Sequence, residues 1–307
     1  LALEVATQIN NAASVNPINM VAMGLLATPH LAMDAQLLAN QLDDYKRLLQ
    51  SLPYTDLIEI PEGNGKDWIA YAENMGMVSI AKHSLGDIIQ ADDNQATSLS
   101  YYRNNVFHIF AMPSLLASLF VNNREHQIEE IKTLCTFLYP FFKAELFLRW
   151  ELEELPEVID TWLEALVGLG LLERHGNLFS RPAANSNEYV KLSGIASVAM
   201  QTQDRYFLTL SLLNKVGSGH INAKELEEQS SVLASRISVL HGINTPEFFD
   251  KNLFRTLIDL LLKQGLLVAN EEGLLTFDES LTAMTEELER VLDASLRQSI
   301  LQITWQQ

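Results

Sequence analysis

The segment WLEALVGLGLL, residues 162–172, decides the fold because two other segments repeat its pattern. WIAYAENMGMV at 68–78 and LIDLLLKQGLL at 257–267 show the same order of a helical apolar period, a glycine and two apolar residues. The copies are about 95 residues apart, and each has its glycine at the ninth position. A glycine after a helix supplies the left-handed conformation in which helices commonly end. Each copy therefore predicts an amphipathic helix that ends at the glycine and is followed directly by a strand.

Elements on both sides of each copy complete a larger unit. A second helix is predicted upstream of the copies, at 33–52, 126–147 and 222–240. A turn and a second apolar run follow the copies, clearly at 173–179 and 268–277 and less clearly at 79–89. Two helices followed by two strands that a turn connects are the outline of a winged helix. The sequence therefore predicts a mostly α fold, in which long packed helices carry three winged-helix-like helix-strand-strand units.

The chain of 307 residues is long enough for two or three domains, and the repeat indicates where they divide. Residues 1–122 are predicted to hold a leading helix, the first unit and the helix that contains YYRNN. Residues 123–216 are predicted to hold the second unit and a following helix. Residues 217–307 are predicted to hold the third unit and a terminal amphipathic helix, 278–303, in which apolar residues recur at steps of three and four.

The charge of the chain argues against one common function of a winged helix. The sequence has 21 Lys and Arg against 39 Asp and Glu, which gives a net charge of −18. Such a chain repels the phosphates of nucleic acids and of anionic lipids. The helix in which a DNA-binding unit would carry Arg and Lys instead reads DTWLEA, residues 160–165. We therefore expect no nucleic-acid partner and predict a structural or protein-contact role for the three units.

Three features bear on the compartment. The single cysteine, Cys135, lies in an apolar run, and we expect it to be buried in a protein of a reducing compartment. The first residues lack the basic and apolar order of a signal peptide, so we expect the chain to be cut from a longer protein. The most apolar stretch, 106–121, is shorter than the roughly 20 residues that span a membrane. Any membrane contact is therefore expected to be interfacial.

The most metal-like group of the sequence is Glu125, His126, Glu129 and Glu130. No His-x-x-x-His pair and no Cys-His spacing typical of a zinc site accompanies it. A solvated helix start explains the four residues without any metal, and this interpretation is favoured. We expect neither a metal site nor a cofactor.

Several blocks outside the repeat carry a resemblance to a known family. They are YYRNNVFH at 101–108, PSLLA at 113–117, LYPFFKAELFLRW at 138–150 and VLHGINTPEFFDK at 239–251. Together these blocks resemble the C-terminal region of the bacterial membrane-bound glycerol-3-phosphate acyltransferase. The resemblance extends from about residue 9 to near the end of the chain.

The resemblance implies an enzyme of phospholipid synthesis at the cytoplasmic face of the inner membrane. Such an enzyme moves an acyl group from acyl-CoA or acyl carrier protein to the sn-1 hydroxyl of glycerol 3-phosphate. Its acid–base motif, His-x4-Asp, and its phosphate-binding Arg-Ser-Arg block belong to the N-terminal half, and neither occurs here. The resemblance thus implies a non-catalytic region whose partner is its own N-terminal catalytic domain. A free-standing acidic module of winged-helix-like units that binds other proteins is the alternative.

Two pairs of His and Asp come close to the missing motif. His30 and Asp34, and likewise His83 and Asp87, have three intervening residues rather than four. On a helix this spacing would place both side chains on one face, where a hydrogen bond is possible. Neither pair is accompanied by a nucleophile or an oxyanion donor, so we expect no catalytic residue in this chain.

One polar cluster is the candidate for contact with the catalytic domain. Arg103, Asn104, Asn105 and His108 lie in a segment that is otherwise fit for burial. On one continuous helix, Asn104 and His108 would share a face. A buried polar group without a partner costs about 1–3 kcal/mol, so these groups must be paired. They either dock the catalytic domain, with Arg103 near a substrate anion, or form an internal network that fixes helix packing.

An aromatic band also has two interpretations. Its members are Phe137, Tyr139, Phe141, Phe142, Phe147 and Trp150. The band could form an acyl-chain surface or an interfacial membrane belt. Aromatic residues at near-helical spacing are more often part of a core, and we favour that interpretation.

Overall fold

The computed structural model describes residues 2–292 and 294–305, and these residues are mostly helical. The first part contains α1 Ala2–Asn11, α2 Pro17–Leu26, β1 Ala32–Asp34, α3 Ala35–Ser51, α4 Gly65–Asn74, β2 Ser79–Ala81, β3 Ile88–Gln90, α5 Asp93–Asn104 and α6 Phe107–Asn122. The middle part contains β4 Glu125–Gln127, α7 Ile128–Leu146, α8 Leu155–Gly168, β5 Glu173–His175, β6 Leu178–Ser180 and α9 Asn187–Val216. The last part contains α10 Ala223–His241, α11 Lys251–Lys263, β7 Val268–Ala269, β8 Leu275–Thr276, α12 Glu279–Val291 and α13 Ala294–Trp305.

Three small antiparallel sheets follow one plan. In the first, β3 lies between β1 and β2, and in the second, β6 lies between β4 and β5. In the third, β7 pairs with β8, and an isolated bridge joins Asn222 to Leu274. Each sheet therefore receives one short segment from ahead of a helix pair and a hairpin from behind it.

The strands β1 and β4 correct the prediction that helices begin at residues 33 and 126. The backbone of β1 pairs with β3, with Met33 opposite Ile89, and His126 of β4 lies opposite Phe179. The first helix begins only after the strand, because the Asp34 side chain accepts hydrogen bonds from the N–H groups of Gln36 and Leu37. Such an N-cap satisfies donors that have no partner inside the helix.

The helices of the sequence repeat all end in the same way. Gly76, Gly170 and Gly265 follow α4, α8 and α11 with φ of 69°, 70° and 73°. The N–H of the next residue then donates back across the last turn, as Leu171 does to the carbonyl of Leu166 at 2.9 Å. This is the Schellman hydrogen bond, which requires a left-handed residue at the helix end. The two apolar residues after each glycine then lead directly into β2, β5 and β7.

The centre of the protein is the packed pair α6 and α9. Nearly every residue of α6 is buried, and α9 runs for 30 residues with its second half buried. A single hydrophobic core surrounds this pair and includes buried residues from all three parts of the chain. Within the described part of the chain, no single helix is long and apolar enough to cross a membrane. Among the helices that the structure describes, only α5 and α6 together reach that length and composition, and an 87° bend separates them.

Two predicted continuous helices are broken. The segment that contains YYRNN bends between α5 and α6, where Asn105 ends α5 and its N–H bonds the carbonyl of Arg103. Asn104 and His108 therefore lie on different helices, and the prediction that they share a face is wrong. The terminal helix divides at Leu292, whose side chain is buried and whose backbone is extended. Its carbonyl accepts a hydrogen bond from Asn122 Nδ2, which holds the break against α6.

Candidate docking site

The polar cluster centres on Arg103, which is buried near the end of α5. Its guanidinium donates from Nε and Nη2 to Asn104 Oδ1, at 3.3 and 3.2 Å. Nη2 also forms an ion pair with Glu247 Oε2 at 3.3 Å. Ser100 and Asn104 donate to the same carboxylate at 3.1 and 2.8 Å. Three residues of α5 therefore hold one glutamate of the 3-10 turn Pro246–Phe249, which belongs to the last part of the chain.

The protonation states of this first pair follow from burial and charge. Burial alone would raise the pKa of Glu247, but the positive charge of Arg103 and the hydrogen bonds from Asn104 and Ser100 outweigh burial and lower it. Burial lowers the pKa of Arg103, and the charge of Glu247 opposes that shift. The pair is therefore ionic at neutral pH.

A second buried pair lies beside the first. Arg205, in the middle of α9, donates from Nη2 to both carboxylate oxygens of Glu145 at 2.6 Å. Its Nη1 donates to the backbone carbonyl of Glu247 at 3.2 Å, so the two pairs share one cluster. The Tyr206 hydroxyl donates to Glu145 at 2.9 Å. Burial and the negative charge of Glu145 raise the pKa of Tyr206, which therefore keeps its proton.

His108 connects the cluster to α1. Its Nε2 lies 2.9 Å from the backbone carbonyl of Asn10, and its ring meets Tyr54 edge to face. Burial lowers the pKa of His108 to about 4, while the hydrogen bond to Asn10 opposes the shift. The imidazole is therefore neutral at pH 7. Because Nε2 faces a carbonyl, Nε2 carries the proton and donates.

A cavity of about 400 Å³ opens beside these residues, between α1, α5, α6, the end of α7, α9 and the turn at Glu247. Its polar lining includes Arg103, Asn104, Glu145, Arg205 and Glu247. Its apolar walls include Ile9, Phe107, Leu146, Val198, Phe248 and Leu253. At the mouth, Ile9 is 67% exposed and the Phe147 ring is also exposed. The site thus combines a charged floor with apolar walls and an apolar rim.

The structure places the four predicted contact residues in two environments. Arg103 and His108 face inward and have partners within the chain. Asn104 and Asn105 are exposed at the end of α5, although Asn104 also bonds Glu247. Arg103, Asn104 and His108 line the cavity together.

Sequence reasoning missed Glu145, Arg205 and Glu247, which complete the cluster. The sequence contains one signal that points to them. The polar run TQDR at 202–205 interrupts an otherwise apolar helix between Ala199 and Tyr206. A charged side chain in the middle of an apolar helix must be paired when it is buried. The run therefore indicates that Arg205 is one half of a buried ion pair.

The pairs that resemble an acid–base motif do not lie on helices. His30 adopts a left-handed φ of 56° in a 3-10 turn, and Asp34 caps α3. His83 and Asp87 lie in the turn between β2 and β3, where Asp87 pairs with Lys82 at 2.6 Å. The prediction that each pair could share a helix face is therefore wrong, because neither segment is helical.

The metal-like group is divided between a strand and a helix. His126 lies buried in β4, with its Nε2 2.9 Å from the carbonyl of Leu119 and its Nδ1 3.0 Å from Glu130. Glu125 and Glu129 are exposed on either side. Residues 2–292 and 294–305 contain no group of three or more His, Cys, Asp or Glu side chains placed to hold a metal ion.

The aromatic band contributes mainly to the core. Tyr139, Phe141 and Phe142 are buried, and both phenylalanine rings contact Tyr206. Phe147 differs, since it ends α7 in a left-handed conformation and is exposed at the cavity mouth. The core interpretation therefore holds for the middle of the band, and Phe147 belongs to the candidate site.

Comparison with known proteins identifies the family. The family described as glycerol-3-phosphate acyltransferase C-terminal region matches residues 1–270. The chain belongs to this family. A glycerol-3-phosphate acyltransferase of Ectopseudomonas mendocina (strain ymp) is 43% identical over 300 residues, and one of Pseudomonas putida is 44% identical over 300 residues. One of Pseudomonas aeruginosa (strain UCBPP-PA14) is 43% identical over 304 residues.

These relatives are much longer than the chain. The alignments cover 97%, 97% and 99% of this chain, but only 36% of each relative. The chain therefore spans about a third of the length of these acyltransferases, and the family is described as their C-terminal region.

Proposed function

We propose that this chain is the non-catalytic C-terminal region of a glycerol-3-phosphate 1-O-acyltransferase and that it scaffolds the N-terminal catalytic domain. The parent enzyme would transfer an acyl group from acyl-CoA or acyl carrier protein to glycerol 3-phosphate, giving lysophosphatidic acid. It would work at the cytoplasmic face of the bacterial inner membrane. The family match, the 36% share of each relative and the lack of His-x4-Asp in the sequence support this proposal.

The cavity rim is the observation that best supports docking. Ile9 of α1 is 67% exposed, and Phe147 adds an exposed ring that lines the same cavity. Exposed apolar side chains beside a polar cluster are typical of a protein contact. In this proposal Asn104 and Asn105 contact the catalytic domain. Arg103 and His108 stabilise the cavity rim through their contacts inside the chain.

In this proposal all three winged-helix-like units contribute to scaffolding the catalytic domain. We propose that residues 1–122, 123–216 and 217–307 are three winged-helix-like domains that make protein contacts. Their common sheet plan and their common glycine-terminated helices support this division. In this division the first domain ends with α6 at Asn122, and the second domain ends with α9 at Val216.

The activity can be tested with radiolabelled glycerol 3-phosphate. We expect the full-length polypeptide that contains this chain to form labelled lysophosphatidic acid from acyl-CoA. The 307-residue chain alone should form none, because it lacks the acid–base motif. Turnover by the chain alone that survives removal of contaminating enzyme would contradict the proposal.

The docking face can be tested by the reactivity of an introduced thiol. The natural Cys135 is buried, and burial raises its pKa to about 12, so it gives little background. We expect a maleimide to label Ile9→Cys in the isolated chain and to label it at least tenfold more slowly in the full-length polypeptide. Val239→Cys, 81% exposed on α10, is the control that should react equally in both. Equal labelling of Ile9→Cys in both proteins would rule out this face.

A further inference from the structure

The cavity beside Arg103 has room for a side chain. Its volume is about 400 Å³, and its walls are formed largely by apolar side chains from α1, α6, α9 and α11. Cores of folded proteins are closely packed and leave few such voids. An apolar cavity that opens through an apolar rim is therefore a candidate socket for a group from outside the chain.

The charged side chains around the cavity favour binding of an uncharged group. Arg103 and Arg205 are balanced by Glu145 and Glu247, and His108 is neutral because burial lowers its pKa to about 4. The two carboxylates already accept hydrogen bonds from several donors. An added phosphate or carboxylate would lie near both glutamates, and an added ammonium would lie near both arginines. Neither charge gains a free counter-charge here.

We propose that the docked catalytic portion of the parent enzyme inserts a large apolar side chain into this cavity. The inference rests on the proposed function. The family is the C-terminal region of longer enzymes, so the rest of such an enzyme joins ahead of α1. Since Ala6, Ile9 and Asn10 of α1 line the cavity, the incoming polypeptide lies beside its mouth.

The test fills the cavity from within. Val198 on α9 lines the cavity and is 7% exposed, so Val198→Trp occupies its volume without changing the rim. Val190→Trp is the matched control, because Val190 lies on the same helix and is 50% exposed outside the cavity. Both changes are made in the full-length polypeptide that also carries Ile9→Cys. Val198→Phe replaces Val198→Trp if the larger ring prevents folding.

Maleimide labelling at Ile9→Cys and acyl transfer are then measured together. We expect Val198→Trp to speed labelling at least tenfold and to lower acyl transfer at least tenfold, while Val190→Trp changes neither. If Ile9→Cys stays protected and activity is unchanged with Val198→Trp, the cavity is not a socket, although docking stands. If Val198→Trp leaves labelling slow and raises only the KM for the acyl donor, an acyl chain occupies the cavity and the proposal is wrong. Fast labelling with Val198 intact would instead refute docking itself.

Discussion

Nη2 of Arg205 lies 2.6 Å from both carboxylate oxygens of Glu145, and this contact joins the middle of α9 to the end of α7. This contact fixes the inner wall of the cavity. The charge of Glu145 helps to raise the pKa of Arg205 against the lowering effect of burial. The same arginine reaches the carbonyl of Glu247, so the second and third parts of the chain meet at one guanidinium.

The first prediction concerns the stability of this contact. Glu145→Ala leaves Arg205 buried without its carboxylate, and we expect the free energy of unfolding to fall by about 3–5 kcal/mol. Glu164→Ala is the control, because its exposed pair with Arg174 should contribute at most about 1 kcal/mol. Urea unfolding of the 307-residue chain measures both. Equal losses for the two variants would show that the Arg205 pair is not a buried one in solution.

The second prediction concerns the repeated glycine. Gly170 has a φ of 70°, and a Cβ added there would meet nothing within 4 Å. Gly170→Ala should therefore cost about 1–2 kcal/mol through backbone strain alone. Gly168→Ala, at the end of α8, also has open space but no positive φ, and it should be neutral or stabilising by up to about 1 kcal/mol. Thermal unfolding of both variants decides, and a neutral Gly170→Ala would contradict the left-handed helix end.

Local features of the fold were predictable from sequence, and long-range ones were not. The glycine-terminated helices follow from a period and one residue type, which are both visible in any single segment. The strands β1 and β4 each have only three residues, too few for an alternating pattern, and their partners Ile89 and Phe179 lie far along the chain. Their pairing, rather than any local preference, decides their conformation.

In the candidate site too, the residues with a local sequence signal were predictable, and those brought together by packing were not. Arg103 and His108 could be identified because they are polar residues in an apolar segment. Glu145, Arg205 and Glu247 lie on three separate elements, so only the packing of α7 and α9 against the 3-10 turn brings them together. The bend at Asn105 was missed because no proline or glycine marks it.

The third prediction concerns nucleic acids. A net charge of −18 should prevent this chain from binding DNA or RNA at physiological salt. Fluorescence anisotropy of a labelled duplex and of a labelled single strand should stay constant as the chain is added. Micromolar binding that weakens steeply with salt would contradict the prediction, since such a slope reports the neutralisation of phosphates.

The last prediction concerns the pH dependence of stability. Burial lowers the pKa of His108 from 6.5 to about 4 in the folded chain. Between these two values the unfolded chain binds the proton more readily, so stability is complete above about pH 6.5 and is lost as the pH falls toward 4. The loss attributable to His108 is at most roughly 3 kcal/mol. His108→Gln keeps a donor for the carbonyl of Asn10 but cannot titrate, so its unfolding free energy should fall less between pH 7 and pH 4.5. Taking the difference between the two proteins in urea cancels the other titrating groups, and identical pH slopes would show that His108 is not held neutral by burial.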